Sequence, residues 1–144
     1  METQFYAGRT RFIGLCHFNM DQVSRILEGC NVKPHFIQLD VNAYSMRHSE
    51  RYSLVKLGIN VIATYSLGNP DLQIDHKARL RNNASVRNIA RQHGVNAASV
   101  LIKFLLYHNI ITLLKGVSMT DVGHICTDLP RFTLTDENIY SLNR

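Results

Sequence analysis

Four short runs of β-branched and apolar residues punctuate the chain, and each is followed by a stretch in which apolar positions recur at helical spacing. The runs are RFIGL (11–15), FIQLD (36–40), NVIATYS (60–66) and IITLLKG (110–116). After the first, Met20, Val23, Ile26 and Leu27 fall on one helical face, with Asn19 placed to cap the start and Gly29 near the stop. MRHSERYSLVKLG predicts a second helix ending at Gly58, and SVRNIARQHG a third stopped by Gly94. NAASVLIKFLLYHN sets Val100, Leu101, Phe104 and Leu105 on one apolar stripe. The tail predicts two more helices, SMTDVGHICTDLP closed by Pro130 and LTDENIYSLN capped by Thr135.

The first three runs begin 25 and 24 residues apart, the length of a compact βα unit, and such alternation requires parallel strands joined by right-handed crossovers. The fourth interval is 50 residues, because the loop GNPDLQIDHKARLRNN and an extra helix intervene. That loop reads as the least ordered segment. In RFIGLCHFN a strand with Gly14 inside it runs into polar residues and then a helix, the way a barrel strand delivers side chains to its C-terminal rim. The fold class expected is therefore α/β, a partial TIM-type (βα) barrel of about four parallel strands, forming one truncated domain over residues 1–144. Eight such units, typically about 250 residues, close a barrel. Strands 11–15 and 110–116 become the borders of an open sheet, and inward side chains such as Ile37 or Ile62 would be covered by a missing half. A homodimer, a complementing first-half barrel, or a molten monomer is the expected consequence.

Composition fits this reading without adding chemistry. Hydrophobic residues make up 45% and charged ones 19% of 144 residues, as in soluble globular domains and unlike disordered chains. With no run of about 18 apolar residues and no signal-peptide pattern in METQFYAGRT, a cytoplasmic protein without a membrane partner is expected. Cys16, Cys30 and Cys126 are odd in number and widely spaced, which suits free thiols in a reducing compartment, where the sequon Asn83-Ala84-Ser85 is silent. The formal charge of +5 is scattered, with only a loose group at Lys77, Arg79 and Arg81, so nucleic acid is not an expected partner. Neither a metal-ligand spacing nor a phosphate-cradling glycine loop occurs. Cys16 and His17 are adjacent, but neighbouring strand residues point to opposite faces, which argues against a shared metal or a nucleophile–base pair.

Four motifs, in order, carry a resemblance that covers almost the whole chain: YAGRTRFIGLCHFNMDQVSRIL, VKPHFIQLDVNAY, GINVIATYSLGNP and VRNIARQHGVNAASVLIKFLLYHNIITLLKGVS. They resemble the second half, roughly strands five to eight, of the aldo-keto reductases. In that family the catalytic Asp, Tyr, Lys and His lie on the first half, so the resemblance implies no catalytic residue here. It implies cofactor contacts instead. The family's Ser-Asn pair for the nicotinamide carboxamide falls on Cys16 and His17, its glutamine on Gln38, and its Glu on Asp40. The stacking aromatic falls on Tyr65, beside Ser66 in the shared YSL, if one residue is inserted; otherwise Thr64 takes the place. Lys115 stands where the family's lysine reaches the adenosine 2′-phosphate, with Gly116 replacing the adjoining serine. The phosphate-gripping arginine falls near Asp121, and the adenine-binding pair near His124 and Ile125. Each has a plainer reading: Tyr65 as a packing aromatic, Gln38 satisfying backbone groups, Lys115 solvated. The resemblance thus implies a truncated pseudoenzyme or fragment related to NADP-dependent carbonyl reductases, inactive alone, with a weak or vestigial NADP site and a carbonyl substrate only if completed. The other reading is a non-catalytic interaction module that uses the exposed half-barrel surface.

Overall fold

The structure, a computed structural model, describes residues 1–68, 80–115 and 117–143; Lys77, Arg79 and Gly116 lie outside the described residues. Its centre is a four-stranded sheet in the order β1 (Gly14–Cys16), β2 (Phe36–Asp40), β3 (Asn60–Thr64), β4 (Ile111–Thr112), with every neighbouring pair parallel. Each strand follows a predicted run, and β1 and β4 are the borders. The ladder is shorter than the apolar runs for local reasons. Before β1, the Ile13 N–H donates to the His35 ring Nδ1 at 3.3 Å rather than to a strand. After β3, Tyr65 takes a left-handed conformation (φ 55°) that ends the extended backbone.

The helices are built from the expected signals. α2 (Met20–Gly29) starts with a reciprocal capping box between Asn19 and Gln22. α3 (His48–Lys56) is followed by Gly58 at φ 71°, α4 (Ala84–His93) by Gly94 at φ 62°, the conformation in which glycine costs least. α5 (Ala97–Tyr107), capped by Asn96, buries Ala98, Ser99, Val100, Leu101, Ile102, Phe104 and Leu105. A helix apolar nearly all round belongs inside, and this one forms the centre of the core rather than a one-sided stripe. α6 (Met119–Asp128) runs into a 3₁₀ turn, Leu129–Arg131, that contains Pro130. α7 (Asp136–Leu142) carries a second capping box, from Thr135 to Asn138. No helix among the described residues is long and apolar enough to cross a membrane.

One helix has no counterpart in the sequence reading: α1 (Glu2–Tyr6), too short for an apolar period to register. It is held by a distant anchor. The Glu2 carboxylate accepts from the N–H groups of Asn31 (2.7 Å) and Val32 (2.8 Å), and Phe5 packs on His35. These contacts draw α1 toward the entry of β2.

Side-chain parity across the sheet corrects the expectation for Ile37. The register aligns Leu15, Ile37 and Val61 in one row and Cys16, Gln38, Ile62 and Ile111 in the next. Leu15, Ile37, Leu39, Val61 and Ala63 are buried in the core that contains the helices. Successive strand residues face opposite sides, so Ile37 points to that helical layer, while Ile62, one row on, belongs to the open face. Only Ile62 of the two would meet a missing half.

Gly14 is fixed by the approach of β2: a Cβ there would lie 2.8 Å from the Phe36 carbonyl oxygen and 3.3 Å from its carbon. Both contacts are backbone or Cβ of the in-register partner, which cannot move without breaking the ladder. Gly14→Ala is expected to lower stability by about 2 kcal/mol, the cost of an overpacked site. Urea denaturation checks this, and an unchanged midpoint would mean that β1 is free to shift.

Candidate functional site

The C-terminal ends of the strands gather the polar residues. Two of them, His17 after β1 and Tyr65 after β3, sit in the left-handed region (φ 56° and 55°), an uncommon conformation for residues with a side chain. Each turns the chain sharply out of the sheet. The His17 N–H still donates to the Gln38 carbonyl (2.9 Å), so the turn is anchored on β2. His17 Nε2 lies 3.8 Å from Asp40 Oδ1, an electrostatic contact too long for a hydrogen bond. Cys16 is exposed and Gln38 half-buried, side by side in one row of the open face.

Asp40 and Thr64 are register partners at the rim. Asp40 Oδ1 and Thr64 Oγ1 are both buried atoms without a hydrogen-bond partner, although Thr64 is only 6% exposed. Unsatisfied buried oxygens are rare and costly, so a donor brought to this spot by a ligand would be favoured. The Asp40 backbone carbonyl is engaged separately, accepting from Arg47 Nε (3.0 Å), while the same guanidinium pairs with Glu50 at 2.9 Å. That ties the rim of β2 to the start of α3.

Tyr65 and Lys115, 50 positions apart, meet: Lys115 Nζ donates to the Tyr65 hydroxyl at 2.8 Å and lies 4.7 Å from its ring centroid. The ammonium therefore lies against the Tyr65 ring as well as its hydroxyl. Ser66, beside it, is 1% exposed, and its hydroxyl is within 3.2 Å of both the Ala63 and Leu113 carbonyls. It joins the exits of β3 and β4.

A second charged group was not visible in the sequence. Arg81 forms a two-pronged pair with Asp121, NH1 to Oδ1 at 3.1 Å and NH2 to Oδ2 at 3.0 Å, both partners largely buried. Asp121 lies in the first turn of α6, where its N–H donates to the Ser118 hydroxyl. Nothing local in the sequence signals a contact across 40 positions. Ile125 is buried in the core and His124 is exposed, so they do not form a matched pair. Among the described residues no group of three His, Cys, Asp or Glu side chains could hold a metal ion, and all three cysteines are free.

The aldo/keto reductase family profile matches residues 2–144. The chain belongs to that family. Among its relatives is aldo-keto reductase family 1 member A1 of Gallus gallus, 26% identical over the whole of this chain and 45% of the relative's length. The aldose reductase of Schistosoma japonicum superposes on 99% of this chain and 44% of its own, with a TM-score of 0.85 and 27% identity. An aldo-keto reductase of Bombyx mori, solved in complex with NADP, superposes with a TM-score of 0.81 over 99% of this chain and 47% of its own, at 22% identity. The chain thus spans under half the length of these aldo-keto reductases, and its four strands keep the curvature of part of a barrel.

Proposed function

We propose that this chain is the nicotinamide-facing half of an NADP-dependent carbonyl reductase barrel, with no reductase activity of its own. The observation that carries this reading is the convergence of His17, Gln38, Asp40 and Tyr65 at the C-terminal rim, the end at which barrels of this class place their ligands.

The two ends of the nucleotide fit differently. At the nicotinamide end, Gln38 offers an amide, His17 a ring nitrogen, and the unpartnered oxygens of Asp40 and Thr64 are acceptors suited to a carboxamide N–H. At the phosphate end the fit fails. Lys115 is drawn onto Tyr65, on the nicotinamide side, and the Arg81 fork is filled and neutralised by the Asp121 carboxylate, so both cations are already engaged. NADPH, when bound, supplies a hydride to a carbonyl carbon. The residues here would orient its ring; Ser66 holds the rim by joining two strand exits.

The expected result of titrating the chain with NADPH, followed by nucleotide fluorescence, is a dissociation constant of roughly 1 mM or weaker, about −4 kcal/mol. Asp121→Asn removes the competing charge and releases Arg81. It should tighten NADPH about tenfold, the effect of one charge at close range in a partly solvated site, and leave NADH unchanged. A tight NADPH complex in the parent chain, lost on Lys115→Ala and Tyr65→Ala, would overturn the phosphate-end argument.

A further inference from the structure

His108 closes α5, its N–H donating to the Phe104 and Leu105 carbonyls. The side chain is half-buried, and its ring nitrogen Nε2 is a buried atom without a hydrogen-bond partner. The ring packs edge-on against Phe104, with centroids 4.8 Å apart, and against Tyr107 at 5.3 Å. Arg51 of α3 reaches the same place: its Nη1 donates to the Met46 carbonyl at 3.2 Å and its Nη2 to the His108 carbonyl at 3.4 Å. One guanidinium thus bridges the β2–α3 connection and the end of α5.

That bridge leads to the rim. Arg47, the left-handed N-cap of α3 (φ 45°), donates from Nε to the Asp40 carbonyl at 3.0 Å and pairs with Glu50. Arg51 lies one turn on, its own N–H donating to the Arg47 carbonyl at 2.9 Å. The exit of β2, the first turn of α3 and the end of α5 form one run of contacts that finishes at His108.

We infer that His108 is a proton-operated release for the first turn of α3 and, through Arg47, for the rim of β2. A neutral imidazole can carry its proton on Nδ1 and leave Nε2 a bare acceptor. The imidazolium carries N–H on both nitrogens, and the one on Nε2 becomes a buried donor with nothing to accept it. It also sets a second cation against the Arg51 guanidinium. The C-terminal end of a helix ordinarily favours a cation, but Arg51 already serves that end at the His108 carbonyl. The charged groups facing His108, Arg51 and, with a smaller effect, His48, both come from α3 and both are basic. Glu50, the carboxylate in that turn, is engaged by Arg47, and on α5 the neighbouring titratable group is the Tyr107 phenol. Burial first, then Arg51 and His48, holds the imidazole below its ordinary value. The stability it contributes is therefore complete above about pH 6.5 and is lost as pH falls through the lower folded value. Relief comes from letting the ring reach water, which displaces Arg51 and with it the contacts at Met46 and Arg47. Nothing in this depends on nucleotide binding.

Amide hydrogen exchange on the 144-residue chain tests it, read as protection factors so that the intrinsic pH dependence of exchange cancels. Between about pH 7.5 and about pH 5.5 the protection of the Arg51 amide should fall roughly fivefold or more. At every pH it should stay below that of the slowest β3 amides, since α3 leaves before the sheet does. His108→Gln, which has no proton to gain, should abolish the fall, and His48→Gln should keep it. Even if His108→Gln fails to fold, the His108 ring protons of the parent chain report directly by NMR: they should titrate below about 6.5, and higher in Arg51→Met than in the parent. A fall that persists in His108→Gln would overturn the inference. So would a His108 that titrates at or above the ordinary value, or an Arg51 amide as protected as β3, which would mean that α3 detaches only on global unfolding.

Discussion

The chain alone is expected to reduce no aldehyde or ketone: NADPH absorbance should stay constant on addition of purified protein, whatever the carbonyl compound offered. Carbonyl reduction needs a proton donor held against the carbonyl oxygen while hydride reaches the carbon, and a positioned general acid contributes about 10²–10⁴-fold, with orientation adding more. Among the described residues the rim offers one phenol–ammonium pair, Tyr65 with Lys115 at 2.8 Å, as a conceivable donor. Its lysine is exposed. The open face opposite it has no second wall in a single copy, so nothing excludes water or fixes a carbonyl against the nicotinamide. Turnover that survives removal of copurifying reductases and is lost in Tyr65→Phe would show that this pair acts as the acid.

The fold was legible because its signals are local and repeated. Apolar runs at intervals of 25 and 24 residues, capping residues such as Asn19 and Thr135, and Gly58 and Gly94 after helices each locate an element without reference to the rest. What escaped depends on parity or on distant contacts. Ile37 and Ile62 look alike in sequence, and only the register, which pairs Ile37 with Val61, sorts them to opposite faces. α1 is held by a carboxylate 29 and 30 positions from its partners. The candidate site divides in the same way. The motifs brought Cys16, His17, Gln38, Tyr65, Ser66 and Lys115 to attention, but the bond between Tyr65 and Lys115 and the capture of Arg81 by Asp121 are three-dimensional facts. They alter the chemistry, because both cations are already engaged within the chain.

The largest single effect on stability is expected at Asp128, far from the rim. This residue is 6% exposed, and one of its oxygens, Oδ2, accepts both the Asn96 N–H (2.9 Å) and the Ser99 hydroxyl (2.7 Å). Asn96 caps α5 and Ser99 lies in its first turn, fully buried. The carboxylate at the end of α6 therefore serves the N-terminus of the most buried helix, where negative charge is favoured. Burial opposes its ionisation, but the Asn96 and Ser99 donors, with the charges of His124 and Arg131, outweigh that and hold the carboxyl below its ordinary value. Asp128→Ala leaves the buried Ser99 hydroxyl and the half-buried Asn96 N–H without this acceptor and is expected to cost about 3 kcal/mol, a large fraction of the stability of a small domain. Asp128→Asn keeps an acceptor oxygen and should cost about half as much. The sign of the pH effect follows from the lowered value. Stability from this group is complete above the unfolded carboxyl value of about 3.9 and is lost as pH falls through the lower folded one. Glu2, held below its usual value first by the Val32 N–H and then by Asn31, contributes in the same direction. Urea midpoints measured through the acid range should therefore fall steeply in the parent chain, less in Asp128→Asn, and least in Asp128→Asn combined with Glu2→Gln. If Asp128→Asn retained the full acid dependence, the carboxylate would not be the charge that holds α5 to α6.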